Sequence, residues 1–273
     1  MSIGVFAAVS AAIAVAAGAF GAHGAAGQQE AEWLRTGGMY QLVHAVAALA
    51  IMGVARGPAI MLLVGAAIFA VTLYAMALGA PRGDGRPIAL LPGYGASELS
   101  MRPLEAYLRH LGYHVRDWGM GRNQGRVAAD VERFAAQAAE WVKADGAPLT
   151  LIGWSLGGVI ARETARAYPK LVREIITLGT PIIGGPKYTA LAQRFAGRDF
   201  DAIERDIHAR NLKGLTQPLT VIYSDRDGIV GPDIAVDIYN DQARNIKVDS
   251  THLGLGINPK VWRIVADTLA DKE

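Results

Sequence analysis

Cysteine is absent from the 273-residue chain. Its absence excludes disulfide bridges, thiolate metal sites and a cysteine nucleophile, and it leaves the redox compartment open. Charge is scarce at one end. Of 27 Lys and Arg and 25 Asp and Glu, only Glu30, Glu32, Arg35 and Arg56 fall in residues 1–80. An ordinary soluble domain carries about one charge in four residues; residues 81–273 do, and residues 1–80 do not. A single uniform globular domain is therefore excluded. Also lacking are a basic block, an acidic tail, an internal repeat and, outside the Ala-rich start, any low-complexity tract. With a net charge of +2, nothing points to nucleic acid.

Residues 1–29, 36–55 and 57–81 contain no Asp, Glu, Lys or Arg. Roughly 20 apolar helical residues cross about 30 Å of hydrocarbon, so each stretch is long enough for a transmembrane helix. The apolar runs are Val5–Phe20, Met39–Val54 and Ile60–Leu78, the middle one interrupted by Gln41 and His44. No positive residue precedes Arg35 and two further apolar runs follow, which sets the first run apart from a secretory signal. Trp33 is placed for an interface. His23 and His44 read as hydrogen-bonding groups near the interface, the alternative being a polar intramembrane pair. Arg35, Arg82 and Arg86 share one side and Arg56 faces the other, so the positive-inside bias puts the hydrophilic domain in the cytoplasm.

GAFGAHG (Gly18–Gly24), Trp33, MYQLVHAVAAL (Met39–Leu49) and IFAVTLYAMALG (Ile68–Gly79) resemble the small bacterial membrane proteins of the DUF423 family. That family has no defined function. The resemblance implies a location in the bacterial inner membrane, contact with membrane lipids through residues 1–80, and a fourth helix. It stops near residue 80, after three.

PRGDGRP (Pro81–Pro87) is turn and linker chemistry. Beyond it, apolar runs of strand length alternate with amphipathic helices. The strands are expected at Ile88–Leu91, His114–Asp117, Leu149–Ile152, Glu174–Leu178, Leu219–Tyr223 and Ile246–Val248. Helices are expected near 98–111, 126–143, 156–168, 199–212, 232–240 and 259–270. Alternation of this kind implies an α/β fold with a doubly wound, mostly parallel sheet. The expected organisation is a membrane-spanning segment over 1–80, a linker over 81–87 and an α/β domain over 88–273.

One motif carries chemistry. Gly153-Trp154-Ser155-Leu156-Gly157 stands between an apolar strand and a helix, the context that G-x-S-x-G requires. Gly153 and Gly157 leave room for a tight turn that presents Ser155, and the following helix N-terminus favours an oxyanion. A nucleophilic serine needs a base oriented by a carboxylate. His252, in the loop after the last strand, is the expected base. Asp225 and Asp227 both follow the penultimate strand; Asp227, in a turn just beyond the strand end, is preferred, and Asp249 lies too near His252 in sequence. The oxyanion donors are expected to be the backbone amides of Leu156 and of Tyr94 in LLPGYGAS.

PIALLPGYGAS, GYHVRDWGMGRNQG (Gly112–Gly125), GWSLGG, ITLGTP (Ile176–Pro181), IYSDRDGIV and HLGLGINP (His252–Pro259) resemble bacterial α/β-hydrolases of the lipase and esterase type. The resemblance covers residues 85–271 and implies the triad Ser155, His252 and Asp227. It also implies leading segments, often two extra strands, where this chain has apolar helices instead. The expected activity is cleavage of small-molecule or lipid carboxylic esters through an acyl-enzyme, without metal or organic cofactor; thioesters and amides remain open. Residues 180–217 are expected to form a small cap, with Ile182, Ile183, Tyr188, Leu191 and Phe195 as an apolar acyl wall or as ordinary helix core. The alternatives are a membrane scaffold whose hydrolase-like domain binds without turnover, and a small transporter with an appended domain.

Overall fold

A computed structural model describes residues 3–23, 28–77, 80–195, 197 and 199–271. The chain divides into two compact units, Met1–Pro81 and Arg82–Glu273.

The first unit holds α1 (Ile3–His23), α2 (Gln28–Ile51) and α3 (Arg56–Ala77). Among the described residues its fully covered positions are small, namely Ala7, Ala45, Ala48 and Ala59, with Leu63 packed among them. A Cβ on Gly38 would stand 2.7 Å from the Ala14 carbonyl oxygen, so glycine sets the approach of α2 to α1. The buried Gln41 donates to the buried Ser10 hydroxyl at 3.0 Å. Large apolar side chains turn outward, among them Val9 and Ile13 on α1, Met39 and Val43 on α2, and Met61 on α3. A bundle folded in water has the opposite polarity. Among the described residues, no helix is long and apolar enough to cross a membrane. The three spans expected from the sequence therefore appear as helices, without a demonstrated crossing. His44 donates from Nδ1 to the Tyr40 carbonyl at 2.8 Å, one turn back on its own helix. The side chains of His23 and Trp33 lie outside the described residues.

The second unit is a six-stranded parallel sheet of order β2-β1-β3-β4-β5-β6. Its strands are β1 (Pro87–Leu91), β2 (His114–Asp117), β3 (Leu149–Trp154), β4 (Val172–Leu178), β5 (Leu219–Tyr223) and β6 (Arg244–Lys247). Strands β1 and β3 are buried along their whole length, as unbroken apolar runs in a covered parallel sheet should be. The helices are α4 (Arg102–Leu111), α5 (Val127–Asp145), α6 (Leu156–Ala167), α7 (Phe200–Asn211), α8 (Pro232–Ala235) and α9 (Pro259–Ala270). On α5 the buried side chains Val131, Phe134 and Ala138 keep a helical period and join Leu151, Ile160 and Val221 in the core. Gly146 ends α5 at φ 68°, and Asp199 caps α7 by accepting from the Ala202 amide.

The helix expected over 232–240 is a single turn. Asp237 ends it by accepting from the amides of Tyr239 and Asn240, a local bond that replaces helical ones. In place of the leading strands implied by the hydrolase resemblance, four-residue β2 is the sheet edge. Arg116 on it pairs with Asp145 at 2.8 Å and lies over the Trp141 ring, and a short charged edge resists pairing with another sheet.

The strand order reverses direction at β1 and β3. Loops leaving these neighbours diverge, and the crevice at their carboxyl ends is where open α/β sheets bind ligands. Leu91 pairs with Gly153, so the loop after β1 and the turn after β3 start side by side.

Candidate active site

Strand β3 ends at Trp154 and α6 begins at Leu156, so Ser155 alone makes the turn, at φ 55° and ψ −121°. It is the one non-glycine with positive φ among the described residues. A residue is held in such a conformation only when its surroundings over-determine it. Here the Ser155 amide donates to the Leu178 carbonyl at 2.8 Å, and its carbonyl accepts from the Gly158 amide and the Thr180 hydroxyl, both at 3.0 Å. The glycines around it are sterically required. A Cβ on Gly153 would strike the Gly158 backbone, one on Gly157 the Leu91 carbonyl, and one on Gly158 the Thr180 side chain.

The Leu156 amide lies in the first turn of α6, where N–H groups have no partner within the helix. Across from it runs the loop after β1. Gly93 in this loop faces Ser155; a Cβ there would stand 3.2 Å from the serine Cβ. Tyr94 follows, its ring against Gly125.

His252 is 7% exposed and donates from Nδ1 to Asp227 Oδ2 at 2.6 Å. The other oxygen of Asp227 accepts from the amides of Ile229 and Val230 at 2.9 and 2.8 Å, which fixes the carboxylate. Asp225 pairs with Lys247 instead, and exposed Asp249 with Arg226. The His252 carbonyl accepts from Trp154 Nε1 at 3.1 Å, which ties the base loop to the serine turn. No hydrogen bond joins Ser155 Oγ to His252; such bonds often tighten only around substrate. Directly under the His–Asp pair lies Gly179, at φ 53°. A Cβ on it would stand 2.8 Å from Asp227 Oδ2 and 3.2 Å from His252 Nδ1.

Ser155 opens into a cavity of about 850 Å³. Leu156 and Val159 on α6 form one wall, with Ile182 and Leu191 from the cap. Two further walls come from residues that the sequence pattern does not assign to a pocket: Ile203 and Ile207 on α7, and Val127 and Val131, whose helical period marks only a buried face of α5. Of the expected acyl wall, Ile183 and Tyr188 lie elsewhere. Left-handed Gly184 and Gly185 reverse the chain, Ile183 packs against the sheet core, and the Tyr188 hydroxyl donates to Glu204 at 2.8 Å on the surface. The Phe195 side chain lies outside the described residues. Arg162, which lines the cavity, pairs with buried Asp237 at 2.5 Å, and burial pushes the Arg162 guanidinium pKa down.

Three parts of the site escaped sequence reasoning. They are Gly179 and Thr180 in ITLGTP and Asn123 in GRNQG. Both stretches were legible as motifs, but not the contacts that give them roles. Among the described residues, no group of three or more His, Asp and Glu is placed to hold a metal ion.

Comparison with known proteins fits this geometry. Residues 17–90 match the model of DUF423, a family of unknown function, and residues 86–211 match that of thioesterase domains. The chain is 34% identical over 142 residues to the polyketide synthase ThaQ of Burkholderia thailandensis, half of this chain but 6% of the synthase. It is 30% identical over 102 residues to a pimeloyl-(acyl-carrier protein) methyl ester esterase of Shewanella woodyi, 36% of this chain and 37% of that enzyme. The chain thus spans little more than a third of the curated esterase it matches. Among solved structures it superposes on one of the metagenome-derived lipolytic enzymes LipS and LipT with a TM-score of 0.54 and 16% identity, covering 70% of this chain and 96% of that one. The second unit therefore has the α/β-hydrolase fold. The chain as a whole joins a DUF423-like segment to a domain of α/β-hydrolase fold that is similar to esterases and thioesterases.

Proposed function

We propose that the protein is a serine hydrolase that cleaves carboxylic esters or thioesters, held at a membrane by residues 1–80. One observation carries the enzymatic reading: Ser155, fixed in a strained turn, opens into a large cavity, and its neighbour Trp154 is bonded to the loop that carries a buried His252 oriented by Asp227. Ser155 Oγ attacks the carbonyl carbon while His252 Nε2 takes its proton. Asp227 holds the Nδ1–H tautomer and stabilises the imidazolium. The Leu156 and Tyr94 amides bind the oxyanion, each such donor being worth roughly 3–4 kcal/mol in comparable sites. The imidazolium returns the proton to the leaving alcohol or thiol. Water, deprotonated by His252, then releases the acyl group from Ser155. The apolar walls from α5, α6 and α7 receive the acyl chain.

Membrane attachment is supported by the outward large apolar side chains of α1, α2 and α3, by the buried Ser10–Gln41 pair, and by the DUF423 match. The bacterial inner membrane fits that match, with the hydrolase domain on the cytoplasmic side as the Arg distribution favours.

Isolated membranes from cells making the full chain should hydrolyse short-chain p-nitrophenyl esters and acyl-thiol substrates, and Ser155→Ala membranes should not. Carbonate extraction of the same membranes should leave the chain in the pellet. Equal hydrolysis by both proteins would sink the enzymatic reading, and release into the supernatant would sink the attachment.

A further inference from the structure

The proposed site draws its oxyanion donors from two very different elements. Leu156 belongs to a helix, whereas residues 92–96 form a loop without regular structure. A donor displaced by about an ångström loses much of its effect on a transition state. Something must therefore fix the loop; within 92–96 a backbone bond runs from the Ala96 amide to the Gly93 carbonyl at 3.1 Å.

We propose that Asn123 is the positioning residue that holds the oxyanion loop, an assignment that rests on the hydrolase reading above. Asn123 is completely buried. All four of its polar groups are bonded, three of them to this loop. Its Nδ2 donates to the Pro92 carbonyl at 2.8 Å, its amide to the Ala96 carbonyl at 2.9 Å, and its carbonyl accepts from the Gly95 amide at 2.7 Å. The fourth, Oδ1, accepts from the Gly125 amide at 3.0 Å and so fixes the side chain's own orientation. Gly125 in turn supports the Tyr94 ring. Two flanking bonds extend the clamp: Arg122 reaches the Gly95 carbonyl at 2.5 Å, and the Gly121 amide donates to Glu98 at 2.6 Å. The loop between β2 and α5 thus shapes the loop after β1 from outside. Asn123 touches no reacting atom; it acts through the loop it holds. Asparagine suits the task because one side chain presents a donor and an acceptor at once, and because a wholly buried amide is stable only when both are used.

The test uses the full chain in detergent, with active sites counted by fluorophosphonate titration. Asn123→Ala should lower kcat per titrated site about 10²-fold and leave KM within threefold. Its affinity for a trifluoromethyl ketone, which forms an oxyanion on the serine, should fall in the same proportion as kcat/KM. A residue that merely stabilises the fold would reduce the titrated fraction and leave kcat per site unchanged; that result overturns the assignment. Arg122 is exposed, so Arg122→Ala is expected to fold. It should cost about threefold in kcat with KM unchanged, and no effect would argue against a clamp built from the second loop. Amide exchange reads the clamp without reference to catalysis: residues 93–96 should lose protection in Asn123→Ala. If wild type takes no label, the hydrolase reading fails; retained protection in the variant removes the clamp.

Discussion

Gly179→Ala places one methyl group under the His–Asp pair. The new Cβ would lie 2.8 Å from Asp227 Oδ2, 3.2 Å from His252 Nδ1 and 2.6 Å from Leu255 Cδ1. Ordinary contact begins near 3.4 Å, so the carboxylate and the leucine must each retreat by roughly half an ångström or more. The 2.6 Å bond between His252 and Asp227 then lengthens or tilts out of line. The left-handed backbone at φ 53° adds about 1 kcal/mol for any residue with a Cβ. A carboxylate that no longer holds the base in its tautomer costs up to about 10⁴-fold in comparable triads, and a displaced one about 10²-fold. The expected outcome is a folded protein, a few degrees less heat-stable, whose kcat drops by about 10²- to 10⁴-fold. Gly146→Ala is the control. Gly146 has φ 68° but open space beyond its Cβ position, so it should show the same backbone cost and full activity. Steady-state kinetics per titrated site would decide. A Gly179→Ala enzyme within threefold of wild type would refute the reasoning.

Val159 faces the cavity one turn beyond Ser155, so Val159→Trp should cut kcat/KM for a p-nitrophenyl dodecanoate by about tenfold or more and leave the acetate within threefold; parallel losses on both esters would contradict the assigned acyl path. Asp84, ahead of β1, accepts three bonds from the Arg86 guanidinium and one from the Arg86 amide, and that guanidinium lowers its pKa to about 2. The pair therefore stabilises the fold above the unfolded carboxyl's pKa of roughly 4, and this is lost as pH falls towards 2. Half-exposed, it is worth at most about 1 kcal/mol, so Asp84→Asn should lower the urea midpoint slightly at pH 7, and the gap should close between about pH 4 and 2.

Much of the second unit could be read without coordinates. Strands and helices have different apolar periods, and the six expected strands fall within two residues of β1 to β6. Loop positions after particular strands are fixed by the topology, so the meeting of Asp227 with His252 was legible, as was the turn that presents Ser155 between β3 and α6. Contacts between loops were not legible. Asn123 clamps residues 92–96 across 27 or more positions, and a buried amide leaves no periodic trace. The cavity wall was half legible for the same reason: Ile182 and Leu191 lie near the serine turn in the cap, but Ile207 and Val127 reach the cavity only through the packing of α7 and α5. Charge alone divided the chain near residue 80, and the two compact units meet at residues 81 and 82.

The central claim is that Ser155 is the nucleophile. Membranes carrying the wild-type chain or Ser155→Ala should be treated with a fluorophosphonate probe, and the modified peptide identified by mass spectrometry. One adduct, on Ser155, absent from the variant and strongly reduced in Gly179→Ala, is the result predicted. A folded wild-type chain that takes no label, or takes it elsewhere, would contradict the claim and leave a hydrolase-like binding module.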